Sequence, residues 1–312
     1  MIIFDEPSRF AQFHENCVAT IGKFDGVHLG HQLILDQLKQ QAEQRSLPAV
    51  VILLEPHPEE FFAGDSDDCP ARLTTVKEKL ELLDSFGVDF VFQLPFNEDT
   101  SRIKAEDYVQ DILVNGLGIN CLIVGNDFRF GHQRQGDFKL LGKMGEELGF
   151  EVVETMAYER NGQRISSTIV REKLGGAEFS LVEQLLGRPY SMKGEVQRGQ
   201  QLGTDLGFPT CNINPHRQRI PLHGVYACRV RLVDRFFQAA VNIGYRPTVT
   251  DAGDALLEAH ILDFSEELYG KTIEVVFLKK LRDEIKFDGL EALKIQIGKD
   301  VEQAREVLKA CA

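Results

Sequence analysis

The chain has 312 residues, 43% of them hydrophobic and 27% charged, and a net charge of −13 at pH 7. That length is more than one compact core usually needs, so two domains are expected. The acidity disfavours a nucleic-acid partner and favours small ligands, with anionic ones met by local basic groups or helix N-termini. No apolar run approaches the ~20 residues of a membrane span. The opening MIIFDEPSRF reaches acid too early for a secretory leader. A cytoplasmic protein with neither a membrane nor a nucleic-acid partner is therefore expected. The six cysteines (17, 69, 121, 211, 228 and 311) form no CxxC pair. That argues against structural zinc and a disulfide scaffold, and predicts reduced, mostly buried thiols.

In chain order, Cys17–Gly22 reads as a short buried strand. A helix over Leu33–Gln44 follows, with Leu33, Ile34 and Leu38 apolar against a polar face. Ala49–Leu54 is an unbroken apolar run, typical of a parallel strand covered on both sides. Val76–Phe86 returns to helical period through Val76, Leu80 and Leu83. Val88–Leu94 is a strand, Ala105–Leu117 a helix, Cys121–Gly125 a strand, Phe138–Leu148 a helix and Phe150–Glu154 a strand. This alternation predicts a doubly wound, Rossmann-like α/β domain with a parallel sheet. Its ligands should sit beyond the carboxyl ends of the strands. Ser180 to Glu183 has the spacing of a capping box, and Gly187-Arg-Pro189 ends that short helix. Alternating β-branched and aromatic stretches follow: Met192–Arg198, Val225–Val233, Phe236–Ile243, Leu256–Phe264 and Thr272–Leu278. They predict an antiparallel barrel or sandwich. A last helix spans about Leu290–Leu308, starting from Asp288. The boundary falls near residue 186, giving domains 1–185 and 186–312.

The stretch TIGKFDGVHLGHQLIL, Thr20 to Leu35, places His28 and His31 where a strand gives way to a helix. Two histidines so spaced serve structure, bind a metal together with Asp25, or clamp an anion. No clear third metal ligand is near. Gly22, Gly26 and Gly30 let backbone approach a bulky group, and the helix start offers N–H groups and a positive dipole end. Phosphate chemistry is the favoured reading. HxGH after a first strand is also the signature of a nucleotidyltransferase superfamily. Aminoacyl-tRNA synthetases share it, but here the only echo of their second motif, Ser191-Met-Lys-Gly194, lies in the wrong domain type. No Walker motif GxxxxGK[ST] occurs.

An ordered set of motifs runs along nearly the whole chain. It comprises GKFDGVHLGH (22–31), EPHPEEFF (55–62), RLTTVKEKLELL (72–83), VGNDFRFGHQRQGD (124–137), RISSTIVREKL (164–174), GFPTCNIN (207–214), GVYACRV (224–230), VNIGYRPTV (241–249), LEAHILDFSEELYG (257–270) and LRDEIKF (281–287). In this set the chain resembles the bacterial bifunctional riboflavin kinase/FAD synthetases. The resemblance implies an N-terminal nucleotidyltransferase domain that adenylylates FMN, and a C-terminal barrel with a terminal helix that phosphorylates riboflavin. ATP, riboflavin, FMN and FAD would be substrates or products, with Mg²⁺ as cofactor. Partners would be these small molecules, with room for weak self-association.

The resemblance also implies residue roles. His28 and His31 would bind the ATP phosphates and stabilise departing pyrophosphate, with Gly22, Phe24 and Asp25 shaping the loop before them. Asn126 and Asp127 would serve nucleotide and metal binding, and Arg129 would meet a phosphate. Ser166, Ser167, Thr168 and Arg171 would form a second phosphate device; taken alone, such a run is an ordinary N-cap. His57 either lines the ligand pocket or fixes a loop. Phe62, Phe128 and Phe130 are core filler or pack on the flavin ring. In the barrel, Thr210 and Asn212 would hold magnesium and the ATP phosphates, on an element that includes Gly207 and Pro209. Gly199 and Gly203 precede it in a glycine-rich flap. Glu258 would be the general base, although taken alone it reads as a solvated strand residue. Arg282 and Phe287 fall on the flavin side. Two departures stand out. Thr204 replaces a usual arginine beside the acidic Asp205, which weakens the expected phosphate grip, and Cys211 replaces a usual alanine. The alternatives are an adenylyltransferase with an impaired kinase and a non-catalytic flavin-binding regulator.

Overall fold

The computed structural model describes residues 1–7, 16–64, 66, 69–155, 159–160, 163–198, 203, 206–217, 219–245 and 255–310. Two compact units divide the chain. One holds Met1–Pro70 and Lys79–Ser166, the other Ala71–Glu78 and Ser167–Ala312.

The first unit is built on six strands: β1 (Ile2–Phe4), β2 (Cys17–Gly22), β3 (Ala49–Glu55), β4 (Phe90–Pro95), β5 (Ile119–Gly125) and β6 (Glu151–Thr155). Their order is β1-β4-β3-β2-β5-β6, and every pairing is parallel. The uninterrupted apolar run of β3 is explained by burial on both faces: Val50 to Leu53 are all fully buried. The sheet winds outward in both directions from β2, so β2 and β5 flank the switch point where such folds bind ligands.

The helices of this unit include α1 (Leu29–Arg45), α2 (Pro58–Ala63), most of α3 (Val76–Ser85), α4 (105–114) and α5 (Phe138–Leu148). Two depart from the sequence reading. α1 buries Leu35, Leu38 and Ala42, while Leu33 is 39% exposed. Leu33 lies two residues from Leu35, about 200° around the helix, and so faces away. α4 starts as an α-turn over Ala105–Asp107 and continues as a π-helix over Tyr108–Val114. A small ribbon follows, β7 (Glu159–Arg160) with β8 (Gln163–Arg164).

Besides Ala71–Glu78, the second unit holds α6 (Ser167–Gly175) and α7 (Phe179–Leu186). α7 starts one residue before the expected capping box. Glu178 is its N-cap and Ser180 lies inside the helix, exposed, because Phe179 is drawn into the core. Gly187 ends it in the left-handed conformation. The remaining strands close a barrel: β9 (Ser191–Gln197), β10 (Cys211–Asn214), β11 (Gly224–Leu232), β12 (Arg235–Tyr245), β13 (Ala255–Ile261) and β14 (Thr272–Arg282). The order is β10-β13-β12-β11-β14-β9, every contact antiparallel.

Period-2 alternation builds this barrel. On β13, Ala255, Leu257, Ala259 and Ile261 are buried while Leu256, Glu258 and His260 point the other way. Met192, Ile213, Tyr226, Val241, Val275 and Phe277 fill the same interior cluster. The last helix, α8 (Leu290–Ala310), lies on the outer wall. Ala304 and Leu308 pack there against Ala227 and Ala240, whose short side chains admit a helix close to the strands.

Candidate active sites

At the carboxyl end of β2 the chain makes a tight, strained loop. Phe24 and Val27 have φ of 48° and 41°, and Gly26 has 81°. A β-branched residue at positive φ is a genuine outlier, of the kind that clusters at ligand-binding loops. Phe24 turns back beneath the strand. A side chain at Gly22 would place its Cβ 2.9 Å from the Phe24 ring. Asp25 is buried.

His28 is the N-cap of α1, and its Nδ1 accepts a hydrogen bond from the His31 backbone N–H at 3.3 Å. An accepting Nδ1 in a neutral imidazole leaves the proton on Nε2, which becomes a donor. The two rings stack 3.7 Å apart at 15°. Phe24 tilts against the second ring at 4.9 Å. Gly30 is required by this stack, since a Cβ there would come 3.2 Å from the His28 ring. His31 is half-buried, and its Nδ1 is shut off from solvent without a partner. Burial, then the nearby charges of His28, Lys79 and Lys23, hold its pKa well below the ordinary histidine value. His31 is thus held neutral, stacked on the ring of His28 at a helix N-terminus.

Across the switch point, Thr20 Oγ1 on β2 donates to the Ile123 carbonyl on β5 at 2.8 Å. That pairing brings the loop after β5 to the same edge. There Asn126 donates to Glu154 at 2.7 Å, and Asp127 pairs with Arg164 at 2.7 Å. The Arg164 hydrogen bond lowers the Asp127 pKa, although both groups are about half exposed. Arg129 is tied to its neighbour, the Phe128 carbonyl. Residue 165 runs along the same edge, with the Ile165 carbonyl 3.5 Å from where a Gly30 Cβ would stand. Ser166 follows directly. Ser167, Thr168 and Arg171 belong to α6, where Arg171 Nε donates to the Ala71 carbonyl at 2.6 Å.

One group at this edge escaped the sequence reading. Lys79 on α3 is wholly buried. Its ammonium lies 2.6 Å from Glu55, the last residue of β3, and 2.9 Å from His57 Nε2. An ammonium can only donate, so His57 Nε2 accepts. The signal was present, for Lys79 stands four residues before the buried Leu83, on the apolar stripe of the helix. Of the aromatic residues considered, Phe62 is 71% exposed and edge-on to Phe61 and Phe96. Phe128 stacks on the buried Phe130 at 5.6 Å.

In the barrel, strand register assembles a second site. Asn212 on β10 pairs with Glu258 on β13, Glu258 with Asn242 on β12, Asn242 with Val225 on β11, and Val225 with Arg282 on β14. Directly paired residues share a face, so this row crosses the outer wall. Thr210, Asn242, Glu258, His260 and Arg282 line a cavity of about 530 Å³, closed by residues 284–287 and by Leu293, Ile297, Asp300 and Val301 of α8. Arg282 is committed to this wall. It makes a bidentate pair with buried Asp300 at 2.7–3.0 Å and donates to the Asp283 carbonyl. Gln296 also donates to Asp300. Pro209 is exposed, and its carbonyl accepts from His260 Nδ1 at 2.8 Å. Gly207 has φ of 87°, a turn that favours glycine. The sequence reading missed Asn242, His260 and Asp300. Gly199, Thr204 and Asp205 lie outside the described residues, as does Cys311.

Comparison with known proteins bears on both halves. A family model for FAD synthetase matches residues 10–169, and one for riboflavin kinase matches 186–308. Bifunctional riboflavin kinase/FMN adenylyltransferase of Escherichia coli K12 is 45% identical over 94% of this chain and 93% of its own. Its Pseudomonas fluorescens counterpart is 46% identical over 94% and 93%. The chain belongs to the bifunctional riboflavin kinase/FMN adenylyltransferase family. A Streptococcus pneumoniae crystal structure described as a macrolide-efflux protein superposes with a TM-score of 0.81. It has 25% identity and covers 97% of this chain and 98% of that one. Among the described residues, no helix is long and apolar enough to cross a membrane. The stacked histidines thus lie in the FAD synthetase half and the barrel cavity in the riboflavin kinase half.

Proposed function

We propose that this chain converts riboflavin to FMN at the barrel cavity and FMN to FAD at the carboxyl edge of the parallel sheet. One observation carries the reading. Two family matches fall on two stretches of one chain, and each stretch holds its own candidate site, the stacked histidines in one and the barrel cavity in the other. The functional division is 1–185 and 186–312. Both reactions consume ATP, which supports a cytoplasmic site of action.

In adenylyl transfer, a phosphate oxygen of FMN attacks the α-phosphorus of ATP and pyrophosphate leaves. Two anions must meet, so the barrier is largely electrostatic and positional. His28 offers Nε2–H, and His31, held neutral, adds a second imidazole donor beside the α1 N-terminus. Neutral donors suit this task, because they cost less to bury than imidazolium and strengthen as charge builds on the leaving group. Asn126, Asp127 and Arg129 border the nucleotide from the β5 side; Ser166, Ser167, Thr168 and Arg171 are the second phosphate device that the family resemblance implies.

In phosphoryl transfer, Glu258 takes the proton from the ribityl 5′-hydroxyl of riboflavin. The freed oxygen attacks the γ-phosphorus of ATP, and ADP leaves. The donor chemistry fits magnesium: Thr210 and the buried Asn212 offer hard oxygens. When bound, magnesium would neutralise charge on the transferring phosphates. The cavity's apolar residues, Val225, Ile285, Phe287, Leu293 and Ile297, suit a flavin ring.

The test is to incubate the protein with riboflavin, ATP and magnesium and to separate the flavins by chromatography. FMN followed by FAD is expected. FAD formed only from supplied FMN would mean a lost kinase, the half in which Thr204 replaces the usual arginine. No product at all would mean a binder.

A further inference from the structure

His260 stands two residues beyond Glu258, on the same outward face of β13. Its neighbour on one side is Ala240 of β12. On the other side β10 begins at Cys211, paired with Ala259, so the register carried back one residue sets Thr210 opposite His260. The ring bridges that gap. Nδ1 lies 2.8 Å from the Pro209 carbonyl, which can only accept, so Nδ1 carries the proton. The edge of Phe208 meets the same ring at 5.6 Å and 83°. Phe208 is held in turn by its N–H to the Gly203 carbonyl at 2.8 Å, and its ring tip is 3.7 Å from where a Cβ of Gly298 on α8 would stand.

The carbonyl bound by His260 belongs to the peptide group that joins Pro209 to Thr210. Proline has no N–H of its own to pin this turn to a strand. Gly207, at φ 87°, adds freedom immediately before it. The side-chain hydrogen bond therefore does the work that a ladder hydrogen bond does elsewhere. We propose that His260 is a positioning residue for phosphoryl transfer, fixing the Pro209–Thr210 peptide plane so that Thr210 faces the ATP phosphates. This rests on reading the cavity as the kinase site.

The test exploits the shapes of two amides. Asparagine can place an N–H where Nδ1 stands, whereas glutamine reaches the Nε2 position. His260→Gln should raise the kinase KM for ATP about tenfold, the scale of one lost hydrogen bond. Hydrogen exchange of peptide 206–213 should quicken in the same variant without substrate. The KM for riboflavin and the adenylyl-transfer rate of the same chain should hold within about twofold. His260→Asn should keep the ATP KM within about threefold of the parent, and the exchange rate with it. Equal losses in the two variants, or a loss in kcat with unchanged exchange, would overturn the proposal. A Glu258→Gln chain that still makes FMN would instead sink the reading of the cavity as the kinase site.

Discussion

The two halves assemble their candidate sites by opposite routes. In the parallel sheet, topology does the work. Strand ends converge at a switch point, and a contiguous run of ten residues, 22–31, supplies loop, cap and imidazoles. In the barrel, register does it. Asn212, Glu258, Asn242 and Arg282 come from four strands and meet only because the ladders align them. A site at strand ends can be read from a motif, whereas a site across strands needs the pairing.

The sharpest way to break the comparison is to remove one group from each site. His31→Ala should slow FAD formation from FMN by about 10²–10³-fold, the cost of losing a preorganised donor, and leave FMN formation intact. Glu258→Ala should slow FMN formation by about 10²–10⁴-fold, the range of general acid–base catalysis, and spare FAD formation from FMN. If either variant, still folded, lost both activities in the chromatographic assay, the assignment of separate sites would fail.

A second prediction concerns the buried charge at the edge of the sheet half. Lys79→Met strands Glu55 and should cost about 3–5 kcal/mol in urea unfolding of that half. Lys79→Met combined with Glu55→Leu should recover much of it, since the pair as a whole is worth less than either orphan. No recovery would mean that the ion pair is not what holds α3 to the end of β3.

A third sharpens the barrel side. Asp300→Ala frees Arg282 from α8 and loosens one wall of the cavity. The riboflavin KM should rise about tenfold, as for the loss of a charge-assisted hydrogen bond, with the ATP KM steady. An unchanged riboflavin KM would show that the wall does not need this tie.

The smallest effect is in pH. His31 titrates below its ordinary value in the folded chain, so below about pH 6.5 the unfolded chain binds a proton that the folded one does not. Stability of the sheet half should therefore fall as pH drops from 6.5 toward the folded value. His31→Gln should flatten that fall in thermal scans from pH 8 to 5, and an unflattened slope would assign the titration elsewhere.

Legibility in the sequence follows the same division. The long apolar strands and the period of α5 were readable because burial on both faces, or on one stripe, writes itself into consecutive residues. Strand β1 was not, since it has only three residues at a sheet edge, of which Phe4 alone is buried, and so short a run carries no alternation. The buried positions of α4, Ala105, Tyr108, Val109 and Leu113, are spaced as in an α-helix, so its π-turns left no mark in the sequence. His28 and His31 were visible as a motif, but their stacking and the capping of one by the other were not. Glu258 looked like a solvated residue because its exposure is real. Its partners lie 16 to 46 positions away, and nothing local announces them. Lys79 was hidden by habit, because a lysine on an apolar stripe is usually taken to reach around to water.

One wall of the barrel cavity consists of Leu293, Ile297, Asp300 and Val301. These residues leave the ribosome long after the sixth strand of the sheet, which ends at Thr155. During synthesis the FAD synthetase half can thus take shape while the cavity of the riboflavin kinase half still lacks a side. A nascent or clipped chain that stops short of residue 293 would hold a finishing step without its supplier.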